Sequence, residues 1–232
     1  MKNKIICLNQ LSLKLSEQEI LENIDLELAV GEIVVVIGPN GAGKSSLIET
    51  MLGLHSPTTG EISINHNYLG KEFSFGFVPA SFSLASNSPI TIEELLKMTL
   101  VNCRHSNKEK EQLITQALKN VGLHNYETKR YLDLSMGQKK RVLLSRAIVH
   151  QPQIIFMDEP ETNLDYLAVK NLYQLIGKLA KKQQMSVVIA SHNFSEIAKI
   201  ADKIVGLNKK IFFQGSSKLL ANQEKLIELY QA

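Results

Sequence analysis

Residues 38–45 read Gly38-Pro39-Asn40-Gly41-Ala42-Gly43-Lys44-Ser45, a fit at every position to the pattern G-x-x-x-x-G-K-[ST]. Glycines at these places let backbone N–H groups curl around phosphate oxygens. A helix starting at the end of the run would aim its positive pole at the same anion. Lys44 can then reach the β- and γ-phosphates of a nucleoside triphosphate, Ser45 can give an oxygen to Mg²⁺, and Ser46 follows on the same turn. A second chemical pair lies far along the chain, where Ile154-Ile155-Phe156-Met157 runs into Asp158-Glu159. An Asp at that place can hold Mg²⁺ through water, and a carboxylate beside it can take a proton from attacking water. An Asp-Glu-Pro triplet also commonly ends strands; it gains chemical meaning from the phosphate loop.

Two further segments carry polar groups in telling places. Leu134-Ser135-Met136-Gly137-Gln138 is a capping box, with Ser135 as cap and Gln138 three residues on. A basic amphipathic helix follows it, bearing Lys139, Lys140, Arg141 and Arg146. Ser191-His192 follows the apolar run Val187-Val188-Ile189-Ala190. A histidine there can hydrogen-bond a terminal phosphate, although a lone histidine is more often structural or solvated.

The elements that must position these groups are legible in outline. Ile33-Val34-Val35-Val36-Ile37 is β-branched throughout, as in a parallel strand buried on both faces. The runs before Asp158 and before Ser191 are of the same kind. Each is followed by polar residues and a helix-like segment, which is the pattern of an α/β core. The first thirty residues instead alternate like short strands. Thr91 with Glu94 opens a helix carrying Leu95, Leu96 and Leu100; Leu113, Ala117 and Val121 share another helical face that stops at Gly122. Residues 88 to about 150 therefore read as a mostly helical insertion within a single domain spanning 1–232. Ile204–Leu207 and Ile211–Phe213 predict a closing hairpin, and a short helical tail ends the chain.

Composition sets bounds on this reading. Hydrophobic residues are 44% and charged residues 21%, enough for a sizeable core and unlike a disordered chain. The net charge of +3 is too small for a dedicated nucleic-acid binder, so no nucleic-acid partner is expected. Cys7 and Cys103 are too few for a disulfide framework and fit a reducing compartment. The start, MKNKIICLNQ, lacks the apolar core of a signal peptide, and no apolar run is long enough for a membrane span. Cys103-x-His105 has no nearby partner pair that would make it a metal site.

Taken together, the phosphate loop, the Ser135–Gln138 segment, the Asp158-Glu159 strand and His192 resemble the ATP-binding-cassette (ABC) ATPases over essentially the whole chain. That resemblance implies a P-loop NTPase (RecA-like) core, with an N-terminal antiparallel β subdomain and an inserted α-helical subdomain. It implies ATP and Mg²⁺ as cofactors. Lys44, Glu159 and His192 take the catalytic places, Ser45 and Asp158 the metal places, and Asp165 the D-loop aspartate within Glu161-Thr162-Asn163-Leu164-Asp165. It further implies that two copies close head to tail over two ATP, with Ser135, Gly137 and Gln138 of one copy facing the γ-phosphate held by the other. The helical insertion would grip a polytopic membrane permease subunit, placing the chain in the cytoplasm, peripheral on the inner face of the cell membrane. Leu21-Glu22-Asn23-Ile24, Phe75-Gly76-Phe77-Val78-Pro79 and Gly206-Leu207-Asn208 look most like the cassettes of bacterial zinc, manganese or iron importers. Such systems also use an extracytoplasmic solute-binding protein.

Three positions depart from the family pattern. Leu15 stands where an adenine-stacking aromatic is expected, Ala80 where the Q-loop glutamine is expected, and Met136 where the signature has its first glycine. Ala80 leaves open a cassette that binds ATP and hydrolyses it weakly. A soluble ABC protein acting on DNA or ribosomes and a small-molecule kinase of the phosphate-loop type are the other readings. The chain has none of the long coiled coils or basic extensions of the first, and a kinase has no need of the signature segment.

Overall fold

The computed structural model describes residues 3–66, 74–192 and 194–217. The helical tail expected at the C-terminus lies outside them. Strands β1 (Lys4–Leu15) and β2 (Gln18–Ala29) form a long antiparallel hairpin, and β4 (Thr59–Ile64) adds to the free side of β1, giving the order β2-β1-β4. The two residues between β1 and β2, Ser16 and Glu17, both have positive φ, the backbone a tight two-residue hairpin loop requires. Alternation in β2 turns Ile24, Leu26 and Leu28 inward, and an irregularity at Asn23, with φ +50°, brings Leu21 to the same buried face.

The second sheet has the order β5-β6-β7-β3-β8-β9. Strands β5 (Phe75–Val78), β6 (Ile154–Asp158), β7 (Ser186–Ser191), β3 (Ile33–Ile37) and β8 (Lys203–Asn208) are parallel neighbours. β9 (Lys210–Ser216) closes the edge antiparallel to β8. The central strands are buried on both faces, which accounts for their unbroken apolar runs. Successive residues of one strand feed different cores. Val34, Val36, Phe156 and Val188 pack toward the β1–β2 sheet and helix α1 (Lys44–Met51); Val35, Ile37, Ile155 and Val187 pack toward the other helices. A buried Val, Leu or Ile contributes about 1.5–3 kcal/mol, so β3 anchors both halves of the molecule.

Between β5 and β6 run α2 (Ile92–Thr99), α3 (Asn107–Asn120), a 3₁₀ turn at Tyr131–Asp133, and α4 (Met136–Ile148). Each of these α-helices starts at a complete capping box: Thr91 with Glu94, Ser106 with Glu109, Ser135 with Gln138. α3 stops where its face pattern says it should, before Gly122 at φ +73°. α4 presses so close to β5 that a Cβ on Gly76 would lie 2.4 Å from the Ala147 carbonyl oxygen. α5 (Tyr166–Gln183) joins β6 to β7, and α6 (Phe194–Ile197) follows β7.

Strand order is what builds the site. β6, β7 and β3 are side by side and parallel, so their carboxyl ends release the Asp158-Glu159 pair, Ser191-His192 and the phosphate loop at one edge. In open α/β sheets this edge is where ligands bind.

Candidate nucleotide site

The phosphate loop bends between β3 and α1 with Gly41 at φ +81° and Gly43 at φ +94°, a region that glycine enters without strain. At Gly38 the demand is room: a Cβ there would lie 2.1 Å from the Leu207 carbonyl oxygen of β8. Gly43 is the N-cap of α1 and supplies no side-chain hydrogen bond to its first turn. Helices α2 to α5 all have side-chain caps, from Thr91, Ser106, Ser135 and Asp165. α1 thus leaves its first-turn N–H groups for an anion arriving at the loop.

Lys44 is 5% exposed and folds back on that loop. Its Nζ donates to the carbonyl oxygens of Gly38 at 2.9 Å and Pro39 at 3.0 Å, and stands 3.7 Å from Glu159 Oε1. Glu159 leaves the β6 ladder with φ +40°, its N–H donating to Ala190 O at 2.9 Å. That twist turns its carboxylate to face both Lys44 and His192, whose Nδ1 is 3.5 Å from Glu159 Oε1. Lys44, Glu159 and His192 are therefore gathered into one cluster although they come from three segments.

Asp158 lies beside them. Burial pushes its carboxyl above the usual carboxylate range, against a hydrogen bond from the Ser45 hydroxyl that acts the other way. Its Oδ1 is buried and, among the described residues, has no hydrogen-bond partner. A buried carboxylate oxygen lacking a partner, next to a serine hydroxyl, is an all-oxygen donor set of the kind a hard divalent cation takes.

A buried layer lies under this cluster, and although Glu161 and Ser191 stand in segments the sequence marks, nothing there joins them to each other or to Tyr173. Glu161, 5% exposed, accepts from Tyr173 Oη at 2.6 Å and from Ser191 Oγ at 2.5 Å. His192 Nδ1 is 3.8 Å from the same carboxylate, so Glu161 lies beneath the histidine. Tyr173 comes from mid-α5, where nothing but its apolar spacing could be read.

The structure does not bring the remaining predicted residues to this cluster. Ser135, Gly137, Gln138 and Asp165 line a separate shallow cleft of about 360 Å³ with Arg141, Leu164 and Leu167, and no phosphate-loop residue borders it. The Ser135 hydroxyl accepts from Gln138 N at 3.3 Å, and Gln138 Nε2 donates to Tyr126 Oη at 3.1 Å. Asp165 accepts from Ala168 N at 2.8 Å and caps α5. Leu15 is half-buried at the tip of the β1–β2 hairpin. That hairpin rises beside the phosphate loop, since a Cβ on Gly43 would lie 2.8 Å from Ile20 O and 2.9 Å from Leu21 Cδ2. Leu15 and Ile20 make its surface there aliphatic. The basic helix α4 is not a wholly solvated face as its charges suggest, because Lys140 is buried. Cys103, which lacks a partner in sequence, has its Sγ 3.2 Å from Nδ1 of His150.

Comparison with known proteins gives the family. The family described as ABC transporter matches residues 21–162. The zinc import ATP-binding protein ZnuC of Saccharophagus degradans is 34% identical over 97% of this chain and 84% of its own length. ZnuC of Wolbachia pipientis wMel is 29% identical over 99% of this chain and 90% of its own. The cassette of a metal-chelate type ABC transporter, solved in an inward-facing conformation, superposes with a TM-score of 0.86 at 28% identity, covering 99% of this chain and 89% of that one. With its nucleotide edge built as described, the chain belongs to the ABC transporter family, as an ATP-binding cassette that hydrolyses ATP.

Proposed function

We propose that this chain powers the import of a transition-metal ion, zinc first, through a membrane permease. The observation that carries the catalytic half is the convergence of Lys44, Glu159 and His192 on the carboxyl edge of the sheet. The cargo half rests on the relatives named above. In this reading Lys44 exchanges the Gly38 and Pro39 carbonyls for the β- and γ-phosphates, joined by the first-turn N–H groups of α1 and by those of the loop residues other than Pro39. Glu159 accepts the proton of the attacking water, and His192 holds the terminal phosphate. Ser45 and Asp158 hold Mg²⁺, which when bound neutralises developing phosphate charge. Two copies close so that the cleft of Ser135, Gly137, Gln138 and Asp165 completes the partner's phosphate loop. The helical stretch of about 88–150, inserted in a single nucleotide-binding domain, carries the motion to the permease. The chain itself sits at the inner face of the membrane; among the described residues no helix is long and apolar enough to cross one. An extracytoplasmic solute-binding protein delivers the ion.

Uptake of radioactive zinc by cells deleted for this chain tests the proposal. Wild type should restore uptake and Lys44→Ala should not. Restored manganese or iron uptake with zinc unchanged would replace the cargo; equal restoration by Lys44→Ala would remove the ATP-driven role.

A further inference from the structure

Residue 80 stands where the segment leaving β5 enters the nucleotide edge, and its side chain is a methyl group. Its carbonyl oxygen is nevertheless engaged: Lys140 Nζ donates to it at 2.9 Å. Lys140 lies early in α4, the helix that Ser135 caps, and is 5% exposed. Burying an ammonium costs several kcal/mol unless it is well compensated, and a methionine would fill a similar volume without that cost. Burial pushes the proton affinity of this lysine down, while the carboxylates of Glu161, Asp158 and Glu159 act in the opposite sense. The ammonium is thus within electrostatic range of those three carboxylates, while its hydrogen bond goes to the Ala80 carbonyl.

The same segment is fastened to its surroundings a second time. The Phe82 ring meets Tyr131 edge-on, with centroids 5.5 Å apart, and receives the guanidinium of Arg146 at 5.2 Å. Arg146 is on α4, like Lys140. Ser81, between the two attachments, is exposed.

We propose that Lys140 is a positioning residue for ATP hydrolysis, its ammonium on the Ala80 carbonyl linking the signature helix α4 to the nucleotide edge where residue 80 has no side chain able to reach. Phe82 and Arg146 supply the mechanical grip. A displacement of α4 would then carry both the segment after β5 and a positive charge toward or away from the carboxylates that end β6. This inference rests on hydrolysis at the Glu159 cluster. An inactive wild-type chain would defeat that reading, whereas the variants below bear on Lys140.

The test is steady-state ATPase of the full chain, with ATP affinity and thermal melting followed in parallel. Lys140→Met should lower kcat on the order of tenfold, as a small misplacement of reacting groups does, with KM and ATP affinity within about twofold. Adding Ala80→Gln to Lys140→Met should recover most of the loss, because a long polar side chain again reaches from residue 80. Lys140→Arg should retain most of the activity. If Lys140→Met does not fold, Lys140→Gln is judged by the same criteria. Unchanged kcat in the folded variant overturns the proposal. So does a loss that tracks the melting temperature and that Ala80→Gln leaves unrepaired, which would make Lys140 a brace and nothing more.

Discussion

Glu159 shows how much a single backbone angle can do. At φ +40° it departs from the strand that Asp158 still belongs to, and so faces Lys44 and His192 together. Replacing it by Gln keeps shape and removes the acceptor of the proton. We expect Glu159→Gln to bind ATP nearly as wild type and to turn over about 10² times more slowly or worse. Single-turnover hydrolysis beside a nucleotide-binding titration checks both halves, and near-normal turnover would take Glu159 out of the role. Beneath it, Tyr173 contributes a hydroxyl to a buried carboxylate. Tyr173→Phe removes one of the donors to Glu161 and should cost about 1–3 kcal/mol by chemical denaturation. Burial also raises the phenol of Tyr173 well above its ordinary value of 10.0. Its contribution is present below that value and is lost as pH rises beyond it, since the unfolded chain then gives up a proton that the folded chain retains. The variant should therefore unfold less steeply with alkali than wild type. The phosphate-loop residues are legible in the sequence because they are contiguous and chemically unusual. The Glu161–Tyr173–Ser191 group is not, because its members are ordinary residues that only packing brings together.

Elements differ in how openly their sequences declare them. The strands of the central sheet declare themselves through β-branched runs, and helices α2 and α4 through their capping boxes. The neighbours of an element are harder to read. Gly76 looks like any glycine in a strand, yet it marks where α4 rests on β5. Gly76→Ala forces a methyl group against the Ala147 carbonyl, so strand and helix must part. Overpacking of this kind costs about 1–3 kcal/mol. We expect a lowered melting temperature with ATP affinity unchanged below it, because Gly76 is remote from the phosphate loop. Equal melting temperatures would mean that α4 can shift freely. The burial of Lys140 belongs to the same class of hidden fact. By type and position it reads as one of several solvated charges on a basic helix, and only the path of the segment after β5 makes it otherwise.

At the scale of the whole molecule, strand β3 is a wall common to two cores and the base on which the phosphate loop is built. Both of its neighbours come from the far end of the chain. Gly31 N donates to Ser186 Oγ across 155 residues of sequence, and Ile33 N to Asp202 Oδ2 across 169. This has a consequence in time. During synthesis the phosphate loop emerges well over a hundred residues before the strands that flank it. Non-local pairings of this kind are slow to form and leave apolar edges uncovered meanwhile. Until β7 and β8 have been made, the nascent chain thus holds an anion-binding motif without the strands that flank it. A chain stopped at residue 184 would retain the phosphate loop, the Asp158-Glu159 pair and the whole of the family match at residues 21–162. We expect it neither to bind ATP nor to resist protease. If ribosome-bound chains of that length instead retained a fluorescent ATP analogue, β3 would have found its shape without β7 or β8, and the last strands would be needed for hydrolysis rather than for the loop itself.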